Sequence, residues 1–117
     1  MSRADTSAQI LRNKRVVQRS QTTGTTTGLT PDLSESDHYS VTSLQDNLSI
    51  GAPIGNPHDG DRLFIRIRDK GLSRLLSWNA IYRGSMPAST TTGKTHVLEF
   101  VRNDSENKWD CVIAITL

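Results

Sequence analysis

The sequence predicts an all-β protein: a β-sandwich or jelly-roll-like module with an extended N-terminal arm. Three observations predict it. From residue 38 onward, short runs of alternating apolar and polar residues recur at close spacing, the period-two pattern of half-buried strands. Clusters of Gly, Pro, Asn, Asp and Ser separate these runs, as turns require. No stretch between them carries a helical repeat, so no crossover helices are expected. Residues 1–37 lack this pattern, which divides the chain into an arm with its linker (1–37) and a module (38–117).

The arm begins with "ADTSAQILRNKRVVQRSQ". Asp5 or Ser7 could cap a short helix there. Its apolar residues Ile10, Leu11, Val16 and Val17 do not form one helical stripe, so an extended arm that orders on binding fits equally well. Met1–Gln21 holds Arg3, Arg12, Lys14, Arg15 and Arg19 against Asp5 alone. A basic arm of this kind seeks an acidic surface. The expected partner-binding residues are Ile10, Leu11, Arg12, Lys14, Arg15, Val16, Val17 and Arg19, because four large aliphatics are wasted on a free tail. "TTGTTTGLTP" follows, a composition for extended backbone, whether as a linker or added to another sheet's edge. "PDLSESD" is acidic and turn-rich, and the boundary is placed within it.

In the module, "YSVTSL" alternates with Tyr39 and Val41 inward, and "NLSIGAP" offers Leu48 and Ile50. "APIGNPHDGD" is a loop. "RLFIRIR" sets Leu63, Ile65 and Ile67 on one face and Phe64, Arg66 and Arg68 on the other. "DKG" is a turn suited to closing a hairpin. "LSRLLSWNAIYRG" gives one long bent strand or two short ones, and "SMPASTTTG" is a loop. "THVLEFVRN" and "KWDCVIAITL" flank a polar "DSEN" turn as a final hairpin, with Trp109, Cys111, Ile113 and Ile115 expected on one face.

Composition narrows the function. Only 34% of the 117 residues are hydrophobic, with two each of Trp, Tyr and Phe, so one small core is expected. The single cysteine, Cys111, excludes an internal disulfide framework. There is no apolar run of about twenty residues and no signal-peptide pattern, so a protein made in a cytoplasm, without a membrane partner, is expected.

Gly55–Leu117 resembles a β-rich module common in tailed-phage virion structural proteins. The matching pieces are "GNPHDGDRLFIRIRDKG", "SWNAIYRG", "PASTTTGKT" and "NKWDCVIAI", and "HYSVTSLQDNLSIGAP" is similar to the lead-in that often precedes them. The resemblance covers about two thirds of the chain and excludes the arm. It implies a virion component and brings no catalytic residues with it.

Other motifs are weighed against plain structure. "STTTGKT" resembles a phosphate loop, yet Ala88 stands where the first glycine belongs and a strand pattern follows in place of a helix. His38, His58 and His96 lack zinc-ligand spacing. Asp59 and Asp61 flank Gly60 in a loop, where turn chemistry explains them more simply than calcium. Cys111 has no matched base, so no nucleophile is assigned. Trp78 and Trp109 could stack on a sugar or base. In a domain this poor in aromatics they are expected, with Tyr82, in the core or at a subunit interface. Arg66 and Arg68 join that group through expected ion pairs with interspersed acids.

The expectation is therefore a non-enzymatic virion protein without a cofactor, most simply a capsid decoration (cement) protein. It would act as a homotrimer that binds the major capsid protein or another virion protein through its arm. The small size favours cement over a fibre. The alternatives are a tail or fibre-attachment component and a small carbohydrate- or receptor-binding module. Nucleic acid is not the expected partner.

Overall fold

A computed structural model describes residues 19–117. Nine strands form two sheets, and the described residues contain no helix. The strands are β1 (Ser20–Thr23), β2 (Gly28–Leu29), β3 (His38–Leu44), β4 (Leu48–Ile50), β5 (Arg62–Asp69), β6 (Leu76–Trp78), β7 (Tyr82–Arg83), β8 (Thr95–Asn103) and β9 (Lys108–Thr116). The larger sheet has the order β1-β3-β5-β8-β9-β7, and the smaller is β2-β4-β6.

The chain changes sheet at every strand from β1 to β7. Each return to a sheet passes through the opposite one, so β1, β3 and β5 are mutually parallel, as are β2, β4 and β6. Parallel neighbours need such a crossover, since a tight turn can only reverse the chain. Of the two predicted architectures the sandwich is the one formed. The final hairpin is the exception to the winding. Its β8 pairs antiparallel with both β5 and β9, completing the larger sheet.

Alternation places the core. Leu63, Ile65 and Ile67 of β5 and Leu98 and Phe100 of β8 are fully buried, opposite Leu48, Ile50 and Leu76 of the smaller sheet. Each such aliphatic contributes about 1.5–3 kcal/mol when removed from water. Gly55, at φ 94°, fixes the loop beneath this core. A Cβ there would lie 2.5 Å from the Ser34 N and 2.6 Å from Asp32 Oδ1. The Leu33 N–H donates to the Ile54 carbonyl alongside, clasping two loops together.

Three expectations change. The threonine-glycine tract is not a linker. β1 adds to the edge of this chain's own β3, β2 adds to β4, and Leu29 and Leu33 are buried in the shared core. The module therefore takes in β1, β2, Leu29 and Leu33, which the boundary at 38 had left out. The "DKG" turn does not close a hairpin: Gly71, at φ 118°, turns the chain out of β5 toward β6 in the other sheet. Of the two readings of "LSRLLSWNAIYRG", the two short strands form, β6 and β7, in different sheets.

The third change lies in β9. Glu99 pairs with Ile113 but Phe100 pairs with Cys111, leaving Val112 as an extra residue in a β-bulge. A bulge reverses the facing of everything beyond it. Trp109 and Cys111 face the core, whereas Ile113 and Ile115 lie on the outer face of the sheet. Strict alternation across the whole strand had placed all four together.

Candidate assembly surface

The residues with chemical potential are mostly consumed by the fold. Arg19 is the only predicted arm residue among those described; Ile10, Leu11, Arg12, Lys14, Arg15, Val16 and Val17 lie outside them. The Arg19 guanidinium forks onto Asp37 at 2.6 and 3.2 Å. It also donates to the backbone carbonyls of Leu33 (2.8 Å) and Ser34 (3.1 Å). The hydrogen bond to Asp37 raises its pKa further. Arg19 thus clasps its own chain where an external partner was expected, closing a charged cleft of about 280 Å³ that Asp61 and Arg62 also line.

The aromatic residues are structural. Trp109 is fully buried, and Tyr82 donates its hydroxyl to the Gly51 carbonyl at 2.8 Å. Burial pushes the Tyr82 phenol far above its ordinary value. Trp78 is half-buried, edge-on to Tyr82 at 5.5 Å and tilted onto Phe100 at 5.7 Å. Its Nε1–H donates to the Pro87 carbonyl. Neither ring of Trp109 is available as a stacking platform.

The loop "STTTGKT" is held from inside. Asp69 accepts from the amides of Gly71 (2.8 Å) and Gly93 (3.2 Å). Burial alone would raise the Asp69 pKa, but those donors outweigh it and hold it below the ordinary carboxylate value. The Thr91 N–H donates to His96 Nε2 at 3.0 Å, while Nδ1 lies 3.2 Å from the Thr116 hydroxyl. His96 is therefore neutral in this arrangement, and burial lowers its pKa. β8 follows the loop, and the amides of Thr90, Thr91, Gly93, Lys94 and Thr95 are already donated within the chain. Asp59 and Asp61 likewise accept from the Asp104 and His58 amides. Among the described residues no group of three metal-ligating side chains converges. Cys111 is partly buried, its Sγ directed at the Ile113 carbonyl, and burial raises its pKa.

What remains for a partner is the outer face of the larger sheet. Cross-strand register aligns Thr22, Ser40, Arg66, Val97 and Ile115 in one row, and Ser20, His38, Phe64, Glu99 and Ile113 in the next. The β1–β3–β5 half is polar. Arg66 and Arg68 are exposed there, outside the core, and among the described residues neither has a carboxylate partner; Arg68 donates to the Thr95 hydroxyl instead. Within the sheet they form no ion pair among the described residues, and Glu99 is taken by Arg62. Burial, then the nearby Arg66 charge, lowers the His38 pKa.

The β9 end of the same face is apolar. Val112 (53% exposed), Ile113 (44%), Ile115 (47%) and Leu117 (66%) stand in solvent, without a charge between Asp110 and the last residue. The β7 strand covers β9 only at Trp109 and Asp110, and Gly84 passes Cys111. Beyond that point the outer edge of β9 is open among the described residues. Sequence reading missed this patch, although the uncharged run "CVIAITL" was a visible sign of it.

No family model and no curated protein matches the sequence. Among solved structures, one described as "Structure of a chaperone-substrate complex" is similar, with a TM-score of 0.49 and 13% identity. The match covers 83% of this chain and 17% of that one.

Proposed function

We propose that this chain is a structural component of a tailed-phage virion, foremost a capsid decoration protein that binds and stabilises the head. The observation that carries the reading is the uncharged, exposed end of β9. Exposed apolar patches of this kind mark interaction sites, and the loop carboxylates Asp59, Asp61 and Asp69 are spent on internal bonds. The virion class is supported by the strand motifs "RLFIRIRDKG", "SWNAIYRG" and "NKWDCVIAI", which resemble those of virion modules.

In this reading the module supplies the rigid body, and residues 1–18 act as a strap onto the major capsid protein or a neighbouring virion protein. Arg12, Lys14 and Arg15 meet acidic groups, while Ile10, Leu11, Val16 and Val17 pack beside them. Tethering raises the effective concentration of every other contact. A tail or fibre-attachment position is the second reading within the class. A glycan-binding module loses Trp109 as a platform, since that ring is fully buried. The protein would be made in the host cytoplasm and reside in the virion.

The test is occupancy on particles. Labelled full chain added to heads that lack it should decorate the capsid surface in electron micrographs. A chain lacking residues 1–18 should keep its strand signature in circular dichroism and lose most of the occupancy. Decoration confined to tails would move the protein to the second reading. Absence of binding to any part of the particle would end the virion reading.

A further inference from the structure

We propose that two copies of this chain pair edge to edge through β9, antiparallel about a two-fold axis at Ile115, to make one continuous sheet. The contact rests on edge geometry and stands independently of the virion reading.

Main-chain hydrogen bonding sets the register. Thr95 and Leu117 exchange both backbone bonds, at 3.0 and 2.8 Å. In an antiparallel ladder such pairs alternate with non-bonded ones. Ile115 and Ile113 therefore also point their amides and carbonyls at β8, with Val97 and Glu99 opposite. The N–H and C=O groups of Ala114 and Thr116 point the other way, to the open edge. An edge like this is a template for another strand, and proteins that stay single blunt it with charge, proline or a covering element. Residues 111–117 contain no charge, proline or glycine.

A second copy fits this edge better than other occupants because the edge is complementary to itself. With the axis at Ile115, Ala114 of one copy meets Thr116 of the other, and each N–H finds the opposing carbonyl. On the outer face Ile115 then meets the second copy's Ile115, and Ile113 meets its Leu117. All of these side chains are now exposed, and cross-strand pairing of β-branched and apolar residues stabilises a sheet. Ala114 and Thr116 face the other side, small enough to sit beside Ser85 and Pro87, which line the shallow groove there. The length also matches: paired segments 113–117 stop short of Cys111, whose edge Gly84 occupies.

The β1 edge of another copy fits poorly. It would bring the hydroxyls of Ser20 and Thr22 against the isoleucines, and a head-to-tail contact would continue as an open sheet. Two-fold pairing closes on itself, so this contact makes a dimer, a different assembly from the homotrimer expected from sequence. The contact is carried by a few exposed apolar side chains at the end of β9, against roughly 20–30 residues a side in a standard interface, so the dimer should dissociate on dilution.

The experiment is mass by analytical ultracentrifugation of the full chain over a wide concentration range. Wild type should pass from monomer to dimer. Ile115→Lys and Ile115→Glu should each stay monomeric, because like charges would meet at the axis. Mixing the two variants should restore a dimer containing one of each. Ala114→Pro removes an edge-facing N–H and leaves the β8 ladder intact; it too should stay monomeric with an unchanged circular dichroism spectrum. A wild type that is monomeric at every concentration, or trimeric, overturns the proposal. So do variants that keep the wild-type mass, or a mixture that stays monomeric. A monomer whose Ala114 and Thr116 amides resist hydrogen exchange until residues 1–18 are deleted would assign the edge to the chain's own arm instead.

Discussion

The two halves of β9 sit in opposite surroundings. In the first half Trp109 is fully buried, and Asp110 is gripped by Arg83 at 2.7 Å. Lys108 reaches the Ala80 carbonyl at 2.9 Å. In the second half Ile113, Ile115 and Leu117 are exposed. Hydrophobicity does not separate them, since the exposed half is the more aliphatic. What separates them is neighbours: the first half lies between β8 and β7, while the second has β8 alone and follows a bulge. One strand thus serves as core and then as surface.

The most severe way to break the contrast is Trp109→Ala. Truncating a fully buried ring leaves a cavity and costs about 3–5 kcal/mol, a large part of a small domain's stability. Thermal unfolding should show the transition falling by well over ten degrees or vanishing. A mild shift would mean that the first half is as dispensable as the second.

The next effect comes from Gly84, which holds β7 against the first half. Its φ is 131°, and a Cβ would stand 2.9 Å from Cys111 Cβ. Gly84→Ala combines a disfavoured backbone conformation with that contact, at about 1–3 kcal/mol. Denaturant titration should show a lower midpoint with an unchanged slope.

The boundary between these halves was hidden from the sequence. The alternation of Leu63, Ile65 and Ile67 was legible because each side chain's facing follows from its neighbour two residues away. The closing hairpin was legible from its turn residues. The bulge at Val112 was not, because the one-residue shift comes from pairing with β8 and leaves no mark in composition. The threonine tract misled for a related reason: its partners, β3 and β4, lie some twenty residues away. Parallel winding escaped notice because a turn residue such as Gly71 serves a crossover as readily as a hairpin.

A smaller effect reaches β9 through its neighbour β8. His96, almost fully buried, accepts the Thr91 amide while neutral, and its pKa lies below the ordinary 6.5. Asp69 opposes the shift, and burial outweighs it. A histidine with a depressed native pKa contributes stability that is present in full above the unfolded value. That contribution is lost as pH falls through 6.5 toward the native pKa. His38, also depressed, adds in the same direction. Stability should therefore decline between pH 7 and pH 5. His96→Gln, which keeps an acceptor, should flatten that decline; an unchanged slope would assign it to His38 or to other groups.

The gentlest substitutions sharpen the comparison most. Ile113→Thr and Ile115→Thr keep a β-branched side chain in the ladder and remove only exposed apolar surface. In dilute solution, where the chain is monomeric, each should cost under about 1 kcal/mol, as surface changes usually do. The same pair should weaken self-association at high concentration, where those methyl groups become buried. If both variants instead destabilised the dilute chain as much as Gly84→Ala, the second half of β9 would belong to the core. Its aliphatics would then need an occupant from the same chain. Equal stability with weakened association would show that the strand's composition is set by what it meets in assembly.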